Sequence, residues 1–175
     1  MFTTIELEKK ITEEILRKLP DADLGGIKFS HYKEGMPRGT YIFSLSDKYC
    51  YMDVDGFTIL REVTEFDEIF WLVLKQIIFE RACKFECENR IYGQDFRRLF
   101  FQKEIEECSL FGEEYKKRIE KEIDKILKDA PYDDENASNK PPGKKFKSTL
   151  FTKIIIWTVS AIIVLFLIFL PYFLP

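Results

Sequence analysis

The C-terminal part of the chain contains an apolar run whose length limits how the chain can fold. From Ile154 to Leu174 there are 21 residues without a charge. As a helix, this run would be about 31 Å long, close to the roughly 30 Å hydrocarbon thickness of a bilayer. A buried helix of a water-soluble core would present a polar face, whereas this run offers only isolated polar residues such as Thr158 and Ser160. We therefore expect a single transmembrane helix over residues 150–174.

The residues beside this run predict its orientation. Lysines precede it and aromatic residues suited to the two interfaces lie within it; this flanking set is Lys144, Lys145, Lys147, Lys153, Trp157 and Tyr172. Because basic residues near a span stay on the cytoplasmic side, the residues before Lys153 should lie in the cytosol. Residues 1–10 contain charges where a signal peptide would need an apolar core. The sequence thus predicts a single-pass protein of the cytoplasmic membrane.

Charge divides the chain into two regions. Residues 1–139 contain 22 Lys and Arg against 30 Asp and Glu, a net charge of −8, whereas residues 140–175 contain five lysines and no acidic residue. Sequence-independent binding of nucleic acid needs clustered positive charge, so we expect no nucleic-acid partner for the acidic region. An acidic surface instead suits a basic protein, because complementary charge speeds encounter and selects partners. The lysines of the second region suit the anionic headgroups of a lipid bilayer.

Few side chains are arranged for catalysis or metal binding. Cys83 and Cys87 are four residues apart and would share one face of a helix, but no second pair completes a zinc site. We interpret these two cysteines, together with Cys50 and Cys108, as reduced core residues. His31 is the single histidine, and no nucleophile motif accompanies it. We therefore expect a protein that is not an enzyme and that has no catalytic residues, metal or cofactor.

The order of periodic segments predicts an α+β fold. An amphipathic helix is expected over residues 3–19, where Pro20 ends it. A three- to four-stranded antiparallel meander should follow, because the connections are too short for helical crossovers; its strands are expected at 27–32, 40–45, 48–54 and 56–63. The C-terminal half should contain three helices, at 65–89, 94–110 and 113–130. This soluble domain of residues 1–130 would be joined by a flexible polar and basic tether, 131–149, to the transmembrane helix.

Charged residues are concentrated at the expected junction of the second and third helices. The set is Glu86, Arg90, Gln94, Asp95, Arg97 and Arg98. Glu86 and Arg90 are four residues apart, and Asp95 comes three residues before Arg98, in what should be the first turn of the third helix. We expect a structural ion-pair motif in which Arg98 lies near Asp95. An acidic metal site of nuclease type, formed by Glu80, Glu86, Asp95 and Glu104, is the alternative, but the interleaved arginines would compete for these carboxylates.

This charged stretch also carries a resemblance to a known family. Three segments resemble the immunity protein 63 family of bacterial polymorphic toxin systems: Arg90-Ile-Tyr-Gly-Gln-Asp-Phe-Arg-Arg-Leu-Phe-Phe-Gln-Lys-Glu104, Tyr115-Lys-Lys-Arg118 and Glu120-Lys-Glu-Ile-Asp-Lys-Ile-Leu-Lys-Asp-Ala-Pro-Tyr-Asp133. The best match covers about residues 86–134, and a looser one extends back to about Tyr49. The resemblance implies a small α+β protein that binds and neutralises a cognate toxin and is not an enzyme. The apolar tail departs from the usual soluble form of that family.

Three classes of function follow from these observations. The first is a toxin-neutralising immunity protein that binds its cognate toxin domain, expected to be basic, stoichiometrically at the cytosolic face of the membrane. The second is a tail-anchored adaptor without a toxin partner, and a membrane-bound metal-dependent hydrolase is a less favoured third. A neighbouring gene that encodes a toxin domain would separate the first class from the second. The sequence leaves open the identity of the toxin, the residues that contact it and the oligomeric state.

Deleting residues 150–175 should release a folded domain into the soluble fraction. The reason is that a polar tether separates the apolar run from the core of the domain. Fractionation of cells and urea unfolding of the truncated chain test this expectation. Aggregation or loss of cooperative unfolding would show that the apolar run belongs to the core.

Overall fold

The computed structural model describes residues 1–55, 57–135 and 137. The elements in chain order are α1 (Thr4–Lys18), β1 (Ile27–Lys28), β2 (Gly39–Ser44), β3 (Tyr49–Asp55), β4 (Phe57–Val63), α2 (Phe66–Asn89), α3 (Arg97–Ser109) and α4 (Glu113–Asp129). This order confirms the α+β fold with an N-terminal helix, four strands and three helices. The described residues contain no helix that is long and apolar enough to cross a bilayer. The expected transmembrane helix and its flanking residues, from Lys144 to Tyr172, lie outside the described part of the chain.

Helix α1 has a well-defined start and one buried face. The Thr3 hydroxyl accepts a hydrogen bond from the Glu6 N–H, and the Glu6 carboxylate accepts one from the Thr3 N–H at 2.8 Å, which together form a capping box. Leu7, Ile11 and Ile15 recur at helical spacing and are completely buried. These side chains hold α1 in the core, where the helix contacts β2.

The sheet has the strand order β1-β2-β3-β4. Strands β2, β3 and β4 pair antiparallel, as the sequence predicts. The expectation of a fully antiparallel meander is wrong for β1, which pairs parallel to β2 with Ile27 opposite Thr40. The connection over residues 29–38 is long enough to bring the chain back to the level at which β1 began, so that β2 can run in the same direction as β1. The Lys28 ammonium donates to the Arg38 carbonyl at 2.8 Å and so holds the end of this connection beside β1.

Helix α2 lies at the centre of the domain and is buried on more than one side. It contacts β3 and β4 as well as α3. Its buried residues therefore do not follow a single stripe; they are Ile69, Phe70, Trp71, Val73, Leu74, Ile77, Ile78, Ala82 and Glu86. A helix that is apolar on several faces is typical of a position between two layers. Strands β3 and β4 contact α2 on one side, and α3, which in turn contacts α4, packs on another.

Candidate functional site

The charged motif of the sequence forms the junction that we call the α2–α3 corner, residues 86–98. Helix α2 ends at Asn89, the chain turns, and α3 begins at Arg97. Gly93 has φ of 78°, a backbone conformation that L-residues with side chains rarely adopt, so glycine suits this turn. The corner therefore places two helix ends and several charged side chains within a short length of chain.

An ion pair closes the α2 side of the corner. The Arg90 guanidinium donates from Nε and from a terminal nitrogen to the two carboxylate oxygens of Glu86, both at 2.7 Å. The carboxylate of Glu86 is buried, whereas Arg90 is partly exposed. A bidentate pair of this kind fixes the direction of both side chains as well as neutralising the buried charge. It thereby ties the last turn of α2 to the first residue of the loop.

The Asp95 carboxylate joins the start of α3 to the segment after α4. It accepts hydrogen bonds from the Arg97 guanidinium at 2.5 Å, from the Arg97 N–H at 3.0 Å and from the Asp133 N–H at 2.9 Å. The hydrogen bond from the Arg97 side chain, more than any other interaction, holds the pKa of Asp95 far below its usual range, against the effect of burial. Asp95 therefore stays ionised, caps the start of α3 and binds the segment that follows α4.

The expected pairing of Asp95 with Arg98 is wrong. Helix α3 begins at residue 97 rather than at 94, so Asp95 lies before the helix, and its carboxylate binds the side chain of Arg97 rather than that of Arg98. Arg98 instead donates to the Asp134 carboxylate at 2.8 Å and lies over the ring of Tyr132, 4.2 Å from its centroid. Both arginines thus point toward the residues after α4, and neither contacts Glu86.

The segment 131–134 is bound to the domain, although the sequence assigns it to the flexible tether. Arg97 donates to the carbonyl oxygens of Ala130 at 2.7 Å and Pro131 at 2.8 Å. In the reverse direction, the Asp134 carboxylate accepts the Asp95 N–H at 2.8 Å. These reciprocal bonds attach the chain after α4 to the corner. The remaining tether residues from 138 onward lie outside the described residues.

Sequence reasoning placed Gln94 in the motif and missed Tyr132 and Asp134. Gln94 is half-buried in the loop, and its side chain makes no hydrogen bond with the residues that the structure describes. Tyr132 packs against the core, 6.4 Å from Phe101 between ring centroids. The signal that could have found this contact is an aromatic residue beside two aspartates in an otherwise polar segment. An aromatic ring at the start of a tether indicates that the domain extends beyond it.

A second group of buried charges lies between α2, α3 and α4. Glu104 of α3 is 4% exposed and burial raises its pKa to about 7, despite the opposing effect of Lys75. The groups that face it are Lys75 and Cys83 from α2, Glu122 from α4 and Cys108 of its own helix. Lys75 forms an ion pair with Glu122 across the helices. Glu104 is consequently a carboxyl group whose charged form is costly in the folded protein.

Two further ion-pair clusters connect the helices. On α4, Arg118 donates to the carboxylates of Asp67 and Glu68 at the start of α2, both at 3.0 Å, and lies over the ring of Trp71. Arg81 of α2 donates to the buried Glu107 of α3 at 2.8 Å and pairs with Asp21 at 3.1 Å. These contacts join distant parts of the sequence. Periodicity predicts the helices but not which residues of different helices meet, so the sequence alone could not predict these ion pairs.

The alternative acidic metal site does not assemble in the described part of the chain. Glu86 and Asp95 are engaged by Arg90 and Arg97, and Glu80 accepts a hydrogen bond from Gln76. No three His, Cys, Asp or Glu side chains of residues 1–55, 57–135 and 137 are grouped so that they could hold a metal ion. The four cysteine thiols are free, and Cys50 and Cys108 are buried as predicted. The interpretation as a core residue is wrong for Cys87, which is exposed, and Cys83 is half-buried.

Comparison with known proteins gives one match. The family model described as immunity protein 63 matches residues 55–125, which include β4, α2, α3 and most of α4. The matched segment contains the whole α2–α3 corner and coincides in part with the stretch in which the sequence resembles that family. The match covers 71 of the 175 residues, so the chain is similar to this family over its helical half and the strand that precedes it. No curated protein and no solved structure matches the chain.

Replacing Arg97 should destabilise the protein more than replacing Arg98. Arg97→Ala leaves the buried Asp95 carboxylate without its main partner, at a cost of about 3 kcal/mol. Arg98→Ala breaks a more exposed pair and a cation–π contact, so its cost should be smaller. The measurement is the free energy of urea unfolding, with Lys117→Ala on the exposed face of α4 as the control, within about 0.5 kcal/mol of wild type. Equal costs for the two arginine variants would contradict the central position of Asp95.

Glu104→Gln should stabilise the protein at neutral and alkaline pH. The folded-state pKa of about 7 lies above the ordinary value of 4.5, so the folded protein binds a proton that the unfolded chain releases between these values. Glu104 therefore lowers stability as pH rises through this interval, by about 3 kcal/mol at pH 8 relative to the glutamine variant. Urea unfolding at pH 5 and pH 8 measures this difference. Glu106→Gln, on the exposed face of the same helix, is the control, and a Glu104→Gln curve parallel to wild type would refute the assignment.

Proposed function

We propose that this protein is an immunity protein that neutralises a cognate toxin domain by binding it stoichiometrically at the cytosolic face of the membrane. The observation that carries the proposal is the match of residues 55–125 to the immunity protein 63 family. The matched residues form the helical half of the domain and the strand that precedes it, so they include much of the core together with a continuous surface. Neutralisation by binding requires such a surface and no chemical step.

The charge of the domain supports a basic toxin partner. Residues 1–139 have a net charge of −8. Many of the acidic residues that the structure describes are exposed, including Glu8, Glu13, Glu88 and Asp124. Opposite charge on the partner would accelerate association and orient the two surfaces before contact. An interface of roughly 1,600 Å² with a well-packed centre is sufficient for tight inhibition.

The membrane location is part of the proposal and rests on the sequence. The uncharged run over residues 154–174 and the lysines before it favour a tail anchor whose domain remains in the cytosol. Residues 138–149 would then act as a tether of about 20 Å average length. Anchoring would concentrate the immunity protein at the membrane, where a toxin delivered from another cell enters the cytosol.

Co-expression with the toxin domain encoded by the neighbouring gene should restore growth of a bacterial host. The full-length protein blocks the toxin by occupying the surface that the toxin needs for its substrate. The control is the same plasmid with an early stop codon in the immunity gene, which leaves the host unprotected. A toxin that remains lethal beside abundant folded protein would refute the proposal and favour a tail-anchored adaptor.

The purified partners should form a 1:1 complex whose association slows as salt rises. Charges on separate molecules are screened beyond about 8–10 Å near physiological ionic strength, so steering weakens in high salt. Light scattering gives the stoichiometry, and binding kinetics between 50 mM and 500 mM salt give the association rates. An association rate independent of salt would argue against the basic partner.

A further inference from the structure

The loop of the α2–α3 corner exposes large apolar side chains. Ile91 is 50% exposed, Tyr92 43% and Phe96 52%. Single exposed apolar residues are normal on protein surfaces, but here three of them occur within six residues of chain. Aromatic side chains supply much of the binding energy at protein interfaces, because they bury a large area with few rotatable bonds. This part of the surface therefore has the composition of the centre of an interface.

Hydrogen bonds fix the backbone on both sides of these side chains. Glu86 and Arg90 form their bidentate pair directly before Ile91, and Asp95 is bound by Arg97 and by the Asp133 N–H directly beside Phe96. The loop is consequently anchored at both ends. A surface that is ordered before binding loses less conformational entropy when the partner arrives, which favours affinity.

The corner and the segment attached to it contain more negative than positive charge. The corner, residues 86–98, and the attached segment 133–135 contain six carboxylates against three arginines, a net charge of −3. Each arginine is engaged by a carboxylate: Arg90 by Glu86, Arg97 by Asp95 and Arg98 by Asp134. Glu88, Asp133 and Glu135 add exposed carboxylates beside these pairs. Anionic lipid headgroups would be repelled by such a rim, whereas a basic protein surface would be attracted to it.

We infer that the α2–α3 corner is the surface that contacts the toxin, with Ile91, Tyr92 and Phe96 at the centre and Glu88, Asp133 and Glu135 at the rim. The inference rests on the proposed function and extends it to named residues. The partner that fits is a basic protein domain with an apolar depression for the three side chains. The whole loop lies within the segment that matches the immunity family.

The test measures binding of the full-length protein, in detergent, to a catalytically inactive form of the toxin domain encoded by the neighbouring gene. Tyr92→Ser and Phe96→Ser should each weaken binding at least tenfold, and the double variant by more than a hundredfold. Ile91→Ser is a third variant of the same surface. Because the three side chains are about half exposed, the thermal unfolding midpoint should not change. Glu88→Lys should slow association about threefold and reduce its dependence on salt.

The matched control is Ile126→Ser on α4, whose side chain is 46% exposed, close to the 50% of Ile91. It should bind the toxin domain within about threefold of wild type. Corner variants that bind as tightly as this control would overturn the inference and leave the proposed function intact. A wild-type protein that does not bind the toxin domain would overturn both. Protection of residues 90–96 from hydrogen exchange by phosphatidylglycerol nanodiscs, but not by the toxin domain, would reassign the corner to the membrane.

Discussion

The buried carboxylate of Asp95 determines how the helical half of the domain is joined together. It accepts hydrogen bonds from the side chain and the N–H of Arg97 and from the Asp133 N–H, so one group starts α3 and holds the chain that leaves α4. A buried charge is costly unless it is paired and hydrogen-bonded, and this carboxylate meets both conditions. Removing any one of these hydrogen-bond donors would leave part of the desolvation cost of the Asp95 carboxylate uncompensated. The direction of α3, the path of residues 131–134 and the shape of the corner all depend on this arrangement.

The sequence was sufficient to predict the class of fold and most of the elements. Helical periodicity, Pro20 and the turn residues at 46–47 located α1, α2, α4 and the β2–β3 hairpin, because these signals are local. The parallel pairing of β1 with β2 could not be predicted in the same way. A two-residue strand has no periodicity, and the ten-residue connection after it allows either direction of pairing.

Prediction of the charged motif from the sequence is limited in a similar way. Glu86 and Arg90 are on one helix, so their pairing follows from spacing. The partners of Asp95, Arg97 and Arg98 depend on where α3 begins and on residues more than thirty positions away, such as Asp134. Helix boundaries are the least reliable part of a prediction from one sequence, and a shift of three residues changed which arginine reaches Asp95. Asp134 and Tyr132 were missed because their segment is mostly polar.

Different parts of the domain have different roles. Ion pairs and the central helix α2 join its elements, the loop between α2 and α3 exposes apolar side chains, and the corner that contains this loop has net negative charge. Under the proposed function, binding of the toxin would be an encounter between this acidic surface and a basic partner. Such a mechanism requires a stable domain with a defined binding surface.

An NMR titration of the Asp95 carboxyl carbon tests the central claim most directly. The account predicts that its resonance does not move between pH 7 and pH 3, because the hydrogen bonds from Arg97 hold the pKa of this carboxyl far below its usual range. In the Arg97→Ala variant the resonance should titrate within that interval. A wild-type Asp95 that titrates with a midpoint near the ordinary value of about 3.9 would contradict the account.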